Sequence, residues 1–176
     1  DAGIMTLTDI LERVRMISNV TTRPIIVDAD TGYGGLINLR HAVKSFQKVG
    51  VSAIQIEDQV FPKRCGHAQG IEVVTVEEMV KRIGVTVDSR DDPEFLIIAR
   101  TDCLTELGLN EAINRAQAYT QAGADLIFIE SPKTLHEIKE IRRNIDKPLV
   151  FKMVPDGNLS DLGFNALKSL GYNLLI

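Results

Sequence analysis

Cysteine is scarce in this 176-residue chain, and long runs of basic or apolar residues are missing. The two cysteines, Cys65 and Cys103, are too few for a disulfide scaffold and fit no metal-finger spacing, which favours a reducing compartment. A net charge of −4 without a basic run argues against binding to nucleic acid or to a membrane surface. No apolar run approaches the length of a membrane-spanning helix. We therefore expect a cytoplasmic protein, with a mitochondrial or other organellar location as an open alternative.

The chain does have a hydrophobic content of 44%, which is ample for one globular core. It begins at Asp1 with neither an initiator methionine nor a signal peptide, so we expect the natural amino terminus to lie elsewhere.

Apolar segments alternate with amphipathic helices along the sequence. We predict strands within residues 24–30, 52–57, 95–102, 125–130, 148–154 and 172–176. We predict helices over residues 7–20, 38–49, 75–87, 110–122, 134–144 and about 159–170. Each strand is a near-continuous apolar run, a pattern typical of a parallel sheet that helices cover.

Charged side chains stand at or near the carboxyl ends of five successive strands. They are Asp28 and Asp30, Glu57 and Asp58, Arg100 and Asp102, Glu130, and Lys152. In a parallel βα barrel these ends converge on one face, where active sites are found. An open doubly wound sheet is the alternative, but it usually binds its ligand at a single reversal of strand order. Because a complete barrel has eight strands, the sequence predicts one partial (β/α)8 TIM-type barrel domain over residues 1–176, with strands 2 to 7 present and the first strand and last unit absent.

A single thiol lies in a basic loop after the second predicted strand. Lys63, Arg64 and His67 surround Cys65 in the sequence, and cationic neighbours favour the thiolate form of a cysteine. The connection from residue 58 to residue 74 is long for a βα loop, as a mobile lid would need to be. The stretch therefore predicts a functional cysteine on a mobile lid.

Five motifs, in this order, resemble the isocitrate lyase and phosphoenolpyruvate mutase superfamily, and within it the methylisocitrate lyase and dimethylmalate lyase group. They are DADTGYG at residues 28–34, IEDQ at 56–59, PKRCGH at 62–67, ARTD at 99–102 and AGADLIFIE at 122–130. The resemblance implies a magnesium-dependent barrel that cleaves a carbon–carbon bond in a 2-hydroxy di- or tricarboxylate. It also implies a homotetramer that exchanges helices between subunits.

The resemblance also implies a metal site. Asp30 would be the direct ligand of Mg²⁺, Asp28 and Glu57 would hold its waters, and Asp1 matches a further acid of that shell. Mn²⁺ is a possible substitute. These oxygen donors agree with the preference of Mg²⁺ for oxygen ligands and retained waters.

Roles in binding and cleavage follow from the same resemblance. Arg100 would bind a substrate carboxylate as a bidentate fork, and Glu130 would orient the substrate or a metal-bound water. Cys65 would be the acid that protonates the carbanion left by cleavage. Gly66 and His67 would complete the lid.

Further substrate contacts are expected from Tyr33, Lys63, Arg64 and Lys152. Lys152 stands where these lyases usually have an asparagine, and it could supply charge or fill the pocket. Tyr33 lies between glycines and could instead only brace the turn. Arg100 could instead pair with Glu130 or Glu57.

Alternative functions stay open at this point. A second enzyme hypothesis keeps the fold but assigns oxaloacetate hydrolysis or phosphonopyruvate chemistry. A third hypothesis is a catalytically silent chain that binds metal or a partner.

Overall fold

The computed structural model describes residues 3–66, 68–154, 159 and 162–176. Within them the helices are α1 (Leu7–Ser18), α2 (Leu36–Lys48), α3 (Val76–Ser89), α4 (Leu104–Leu107), α5 (Leu109–Gln121), α6 (Leu135–Asn144) and α7 (Phe164–Ser169). The strands are β1 (Ile26–Asp28), β2 (Ala53–Glu57), β3 (Leu96–Thr101), β4 (Leu126–Ile129), β5 (Leu149–Phe151) and β6 (Leu174–Leu175).

The strands form one parallel sheet in the order of the sequence, β1-β2-β3-β4-β5-β6. This sheet curls into half of a barrel, which confirms the predicted fold class. Glu57 at the end of β2 is paired in register with Arg100 on β3, and Arg100 with Phe128 on β4. The order of the sheet therefore brings the carboxyl ends of successive strands side by side.

Each helix begins or packs for a recognisable local reason. Thr6, Thr75 and Thr134 cap α1, α3 and α6, because each hydroxyl accepts a hydrogen bond from an amide of the first turn. The buried face of α2 consists of Leu39, Ala42, Val43 and Phe46, at the spacing of one helix face. The buried faces of the helices pack against the outer surface of the sheet and form the main hydrophobic core with it.

The concave face of the sheet has a second, smaller apolar cluster. Its buried members are Ala53, Ile98, Phe128 and Val150, which come from β2, β3, β4 and β5. Since alternate residues of a strand face the same side, the concave face continues upward from these residues to Glu57, Arg100, Glu130 and Lys152. We call this charged upper edge, at the carboxyl ends of β1 to β5, the rim.

Several predicted boundaries differ from the structure. The strands are shorter than predicted, although backbone hydrogen bonds from the amides of Asp58 and Glu130 to the carbonyls of Arg100 and Thr101 continue past the ends of β2 and β4. Helix α2 begins two residues before the predicted start, at Leu36, since Gly35 takes the extended cap conformation. Helix α4 was not predicted, and α7 begins at Phe164, five residues after the predicted start. None of the described helices combines the length and the apolarity needed to cross a bilayer.

Candidate active site at the rim

Three carboxylates meet at the part of the rim that β1 and β2 form. Asp28 ends β1, Asp30 follows it in the next loop, and Glu57 ends β2, and each offers an oxygen within 4.8 Å of the others. The amide of Asp30 donates to Asp28 Oδ1 over 3.0 Å. This bond accompanies a left-handed backbone at Asp30, with φ of 47°, which is strained for a residue other than glycine. We call Asp28, Asp30 and Glu57 the acid triad.

Glu57 is the fully buried member of the acid triad. Burial is the main reason that its pKa rises to about 7, and the charges of Asp102 and Asp28 add to the rise, whereas Arg100 and Lys63 oppose it. Among the described residues neither of its carboxylate oxygens has a hydrogen-bond donor in good geometry. A buried carboxylate without such donors is costly unless a cation compensates it, so an oxygen-binding divalent ion fits this donor set.

Lys63 reaches from the lid loop, residues 58–74, into the acid triad. Its ammonium lies 2.6 Å from Asp30 Oδ1 and 3.1 Å from Glu57 Oε1, and its side chain is 4% exposed. Burial would lower the pKa of Lys63, but the hydrogen bond to Asp30 and the charges of the acid triad raise it above its ordinary value. The ammonium therefore stays charged at neutral pH.

Arg100 forms its closest ion pair with Asp102, two residues further along the chain. Nε and Nη2 of Arg100 donate to Asp102 Oδ2 and Oδ1 over 3.0 and 2.6 Å, and this is a bidentate fork. Glu57 and Glu130 lie further from the guanidinium, at 3.7 and 3.5 Å, and the ring of Phe128 lies 5.2 Å below it. One edge of the Arg100 guanidinium, which was predicted to bind a substrate carboxylate, is therefore already bound to a carboxylate of the chain.

Glu130 stands between two cations on the other side of the rim. It accepts a hydrogen bond from Lys152 and another from Ser131 Oγ over 3.0 Å, and Arg100 lies nearby. Burial would raise the pKa of Glu130, but the charges of Arg100 and Lys152 hold it below its ordinary value. Glu130 is therefore ionised at neutral pH.

The lid loop lies across Arg100 at Gly66. A Cβ added to this buried glycine would fall onto Arg100 Nη2 and lie 2.8 Å from Asp102 Oδ1. Ser131 Oγ donates to the carbonyl of Gly66 over 3.3 Å. Only a residue without a side chain can approach the guanidinium so closely.

The thiol of the lid loop belongs to an exposed residue. Cys65 is exposed, and the guanidinium of Arg64 donates to the carbonyl of Gln69 over 3.3 Å. Two of the three cations expected to favour the thiolate, Lys63 and Arg64, thus bind other groups. His67, the third, lies outside the described residues, as does Asp1.

Tyr33 contacts the acid triad at the backbone of Asp28. Its hydroxyl donates to the carbonyl of Asp28 over 3.4 Å, and its ring packs at 6.1 Å from that of Phe46. The side chain braces the turn after β1, and it also borders a cavity of about 480 Å³ next to Asp30.

Asp58, the neighbour of Glu57, faces away from the rim. It is fully buried and accepts hydrogen bonds from the side chains of Thr101 and Tyr119 over 2.7 Å, from Arg115 over 3.2 Å and from the amide of Asp102 over 3.0 Å. Asp58 therefore fixes the backbone that carries Asp102.

The fold thus gathers most of the sequence-predicted site at the rim. The members brought together are Asp28, Asp30, Glu57, Lys63, Gly66, Arg100, Glu130 and Lys152. Tyr33 contacts the backbone of Asp28, and Arg64 and Cys65 are exposed residues of the lid loop. Sequence reasoning gave no role to Asp102 or Ser131. The two-residue spacing of Arg100 and Asp102 on one strand face was the signal for Asp102.

Comparisons with known proteins identify the family of the chain. The family model for phosphoenolpyruvate phosphomutase matches residues 1–176. The chain is 45% identical over its whole length to 2,3-dimethylmalate lyase from Eubacterium barkeri, covering 61% of that protein, and 39% identical to 2-methylisocitrate lyase from Shewanella oneidensis, covering 60% of it.

A solved structure of oxaloacetate acetylhydrolase with the inhibitor 3,3-difluorooxalacetate superposes with a TM-score of 0.94 at 32% identity. The match covers all of this chain and 61% of that one. The chain thus spans about three fifths of the length of these relatives. It belongs to the phosphoenolpyruvate mutase and isocitrate lyase superfamily.

Proposed function

We propose that this chain carries the active site of a magnesium-dependent lyase that cleaves a carbon–carbon bond of a 2-hydroxy di- or tricarboxylate. A substrate like 2-methylisocitrate or dimethylmalate would give pyruvate or glyoxylate plus a dicarboxylate. The observation that carries the proposal is the acid triad beside Arg100, under a lid loop that holds a thiol. The likeness to dimethylmalate lyase and methylisocitrate lyase supports the same reaction class.

The charges at the rim support a divalent ion. The described rim has five carboxylates, Asp28, Asp30, Glu57, Asp102 and Glu130, and three cations, Lys63, Arg100 and Lys152. Two negative charges remain when all of these groups are ionised, and one Mg²⁺ or Mn²⁺ ion would neutralise them. Asp28, Asp30 and Glu57 would hold the ion, and Asp1 would complete the set.

The chemistry divides between the ion and the side chains. A bound divalent ion would polarise the substrate hydroxyl and its neighbouring carboxylate. Arg100 would bind a second carboxylate through the edge of its guanidinium that faces away from Asp102, and Glu130 with Lys152 would orient the substrate. Tyr33, Lys63 and Arg64 would line the site.

Cleavage then needs a proton donor. When solvent accepts the hydroxyl proton, the oxygen forms the carbonyl group of the keto acid, the adjacent carbon–carbon bond breaks, and its electron pair goes to the carbon next to the departing carboxylate. The thiol of Cys65 would donate its proton to that carbon and become a thiolate. The lid loop, with Gly66 and His67, would close over the site and exclude water while this happens.

The proposal also covers the domain organisation, the assembly, the ligands and the location of the protein. We propose a single partial barrel domain, a homotetrameric assembly, small carboxylates as ligands without nucleic-acid or membrane partners, and a cytoplasmic location. The cysteine content, too low for a disulfide scaffold, is the reason for proposing a reducing compartment.

A second candidate function is hydrolysis of oxaloacetate or of phosphonopyruvate. The likeness to oxaloacetate acetylhydrolase favours it, since the match covers all of this chain. A catalytically silent chain that binds metal or a partner is the third candidate.

The proposed function is tested by product analysis. The protein with MgCl₂ is incubated separately with 2-methylisocitrate, dimethylmalate, oxaloacetate and phosphonopyruvate, and the products are identified by mass spectrometry. We expect pyruvate or glyoxylate from the first two substrates. Oxalate from oxaloacetate alone would favour the hydrolase, and no turnover of any substrate would favour the silent chain.

A matched pair of cysteine variants tests the proton donor. Cys65→Ser should lower kcat by at least about a hundredfold, because a serine hydroxyl is a far weaker acid, and Mn²⁺ affinity should stay unchanged. Cys103→Ala, at the buried cysteine of the core, is the control and should keep near-normal kcat. Full activity of Cys65→Ser would rule out the thiol as the acid.

A further inference from the structure

We propose that Lys63 is a tethered cation that competes with the divalent ion for Asp30 and Glu57, so that metal binding releases the lid loop from the rim. The inference rests on the metal site of the proposed function and adds a regulation of that site. It assigns Lys63 a role at the metal acids in addition to any contact with substrate.

The first step is the position of the ammonium. Lys63 Nζ lies 2.6 Å from Asp30 Oδ1 and 3.1 Å from Glu57 Oε1, so it bridges two members of the acid triad. Its side chain and that of Glu57 are almost fully buried, at 4% and 0% exposure. This is an ion pair inside the protein, where charges interact more strongly than at a surface.

The second step is that a divalent ion needs the same oxygens. Mg²⁺ and Mn²⁺ bind carboxylate oxygens directly or through tightly held waters. An ammonium between Asp30 and Glu57 uses oxygens of two of the three expected ligands. Two like-charged ions a few ångströms apart in a buried site repel each other, so occupation by one weakens the binding of the other.

Lys63 belongs to the segment of the lid loop that also carries the thiol. Lys63 lies two residues before Cys65, and Gly66 of the same segment rests on Arg100 and receives the hydrogen bond from Ser131. The segment is thus held against the rim at two places, by its ammonium and by its glycine.

The base of the lid loop has its own anchors. The side chain of Gln59 accepts from the amide of Arg64 over 2.8 Å and donates to the carbonyl of Arg64 over 3.0 Å. Gln59 also pairs with Val73 in an isolated antiparallel bridge. The two bonds to Arg64 hold the segment around residues 61–66 in its closed position, so release of this segment breaks them and exposes the peptide bond after Arg64. The bridge from Gln59 to Val73 lies outside the segment and can persist.

A functional consequence follows for the order of binding. While Lys63 occupies the acid triad, Gly66 covers the guanidinium that would receive a substrate carboxylate. Entry of the divalent ion expels the ammonium, loosens the segment and opens Arg100. The metal therefore binds before the carboxylate substrate.

Metal affinity gives the first test and needs no turnover. Mn²⁺ binding is measured by electron paramagnetic resonance for the wild-type protein, for Lys63→Met and for Lys63→Gln, with circular dichroism to verify folding. We expect about tenfold tighter Mn²⁺ binding in both variants, because the competing charge is gone. Lys152→Met is the matched control, since its ammonium binds Glu130 outside the acid triad, and it should change the affinity about threefold at most.

Trypsin cleavage after the exposed Arg64 gives the second test, read by the masses of the fragments. Mn²⁺ should accelerate this cleavage in the wild-type protein, whereas Lys63→Met should be cleaved rapidly with or without Mn²⁺.

Opposite results would separate the two proposals. Equal or weaker Mn²⁺ binding by both folded Lys63 variants, or wild-type cleavage that Mn²⁺ slows or leaves unchanged, overturns the role of Lys63 alone. Failure of the wild-type protein and of Lys63→Met to bind Mn²⁺ overturns the metal site of the proposed function as well.

Discussion

At the scale of single residues, two adjacent carboxylates have opposite environments. Glu57 and Asp58 follow each other at the end of β2, and the alternation of a strand sends their side chains to opposite faces of the sheet. Glu57 has no well-aligned hydrogen-bond donor among the described residues, whereas Asp58 accepts from Thr101, Tyr119, Arg115 and the amide of Asp102. The same functional group, a carboxylate, is therefore suited to a metal in one position and to structural support in the next.

Neutral variants at these two positions should separate the roles. Glu57→Gln should lower Mn²⁺ affinity by at least about tenfold with little loss of stability, because it removes one charged ligand from a site where burial already penalises that charge. Asp58→Asn should lower the free energy of unfolding by about 3 kcal/mol, because it leaves Arg115 without its buried partner.

Calorimetry with Mn²⁺ and thermal unfolding measure both effects, each variant being the control for the other. If Asp58→Asn lost Mn²⁺ binding while Glu57→Gln kept it, the assignment of the two faces would be wrong.

At the scale of elements, the βα order and the polar residues at the strand ends were predictable from the sequence. Near-continuous apolar runs ending in Asp28, Glu57, Arg100 and Glu130 carry that information, because parallel strands place such ends on one edge. The bidentate bond from Arg100 to Asp102 was less accessible, since it depends on side-chain rotamers and on the anchoring of Asp102 by Asp58. The direction of Lys63 into the acid triad was also not predictable, because loop conformation follows from tertiary contacts.

The contact between the lid loop and Arg100 gives a prediction at this scale. Gly66→Ala should prevent the lid from resting on the rim, because the new methyl group would collide with Arg100 and Asp102. We expect trypsin to cleave after Arg64 several-fold faster than in the wild-type protein, with a small change in melting temperature, since the residue lies in a loop.

Gly84→Ala is the control for this variant. Gly84 lies within α3 and has nothing within 4 Å of an added Cβ, so the substitution should stabilise the helix by about 1 kcal/mol and leave cleavage after Arg64 unchanged. Unchanged cleavage in Gly66→Ala would show that Gly66 does not hold the lid at the rim.

At the scale of the whole molecule, the half-barrel works as a frame with two different faces. Helices and the main hydrophobic core cover the outer face, whereas the concave face passes from the apolar cluster around Phe128 to the charged rim. Only the assembled sheet brings residues from 28 to 152 into one site, so the site depends on the fold of nearly the entire chain. The chain covers about three fifths of the relatives it matches, and the activity of the whole protein is accordingly a proposal.

The central claim is that the curled sheet gathers Asp28, Asp30 and Glu57 into a site for a divalent ion beside Arg100. Anomalous diffraction from a crystal of the protein soaked in Mn²⁺ tests it most directly. We expect an anomalous peak enclosed by these three carboxylates, with the ammonium of Lys63 displaced from them. A well-ordered acid triad without a peak at saturating Mn²⁺, or a peak held by other residues, would contradict it.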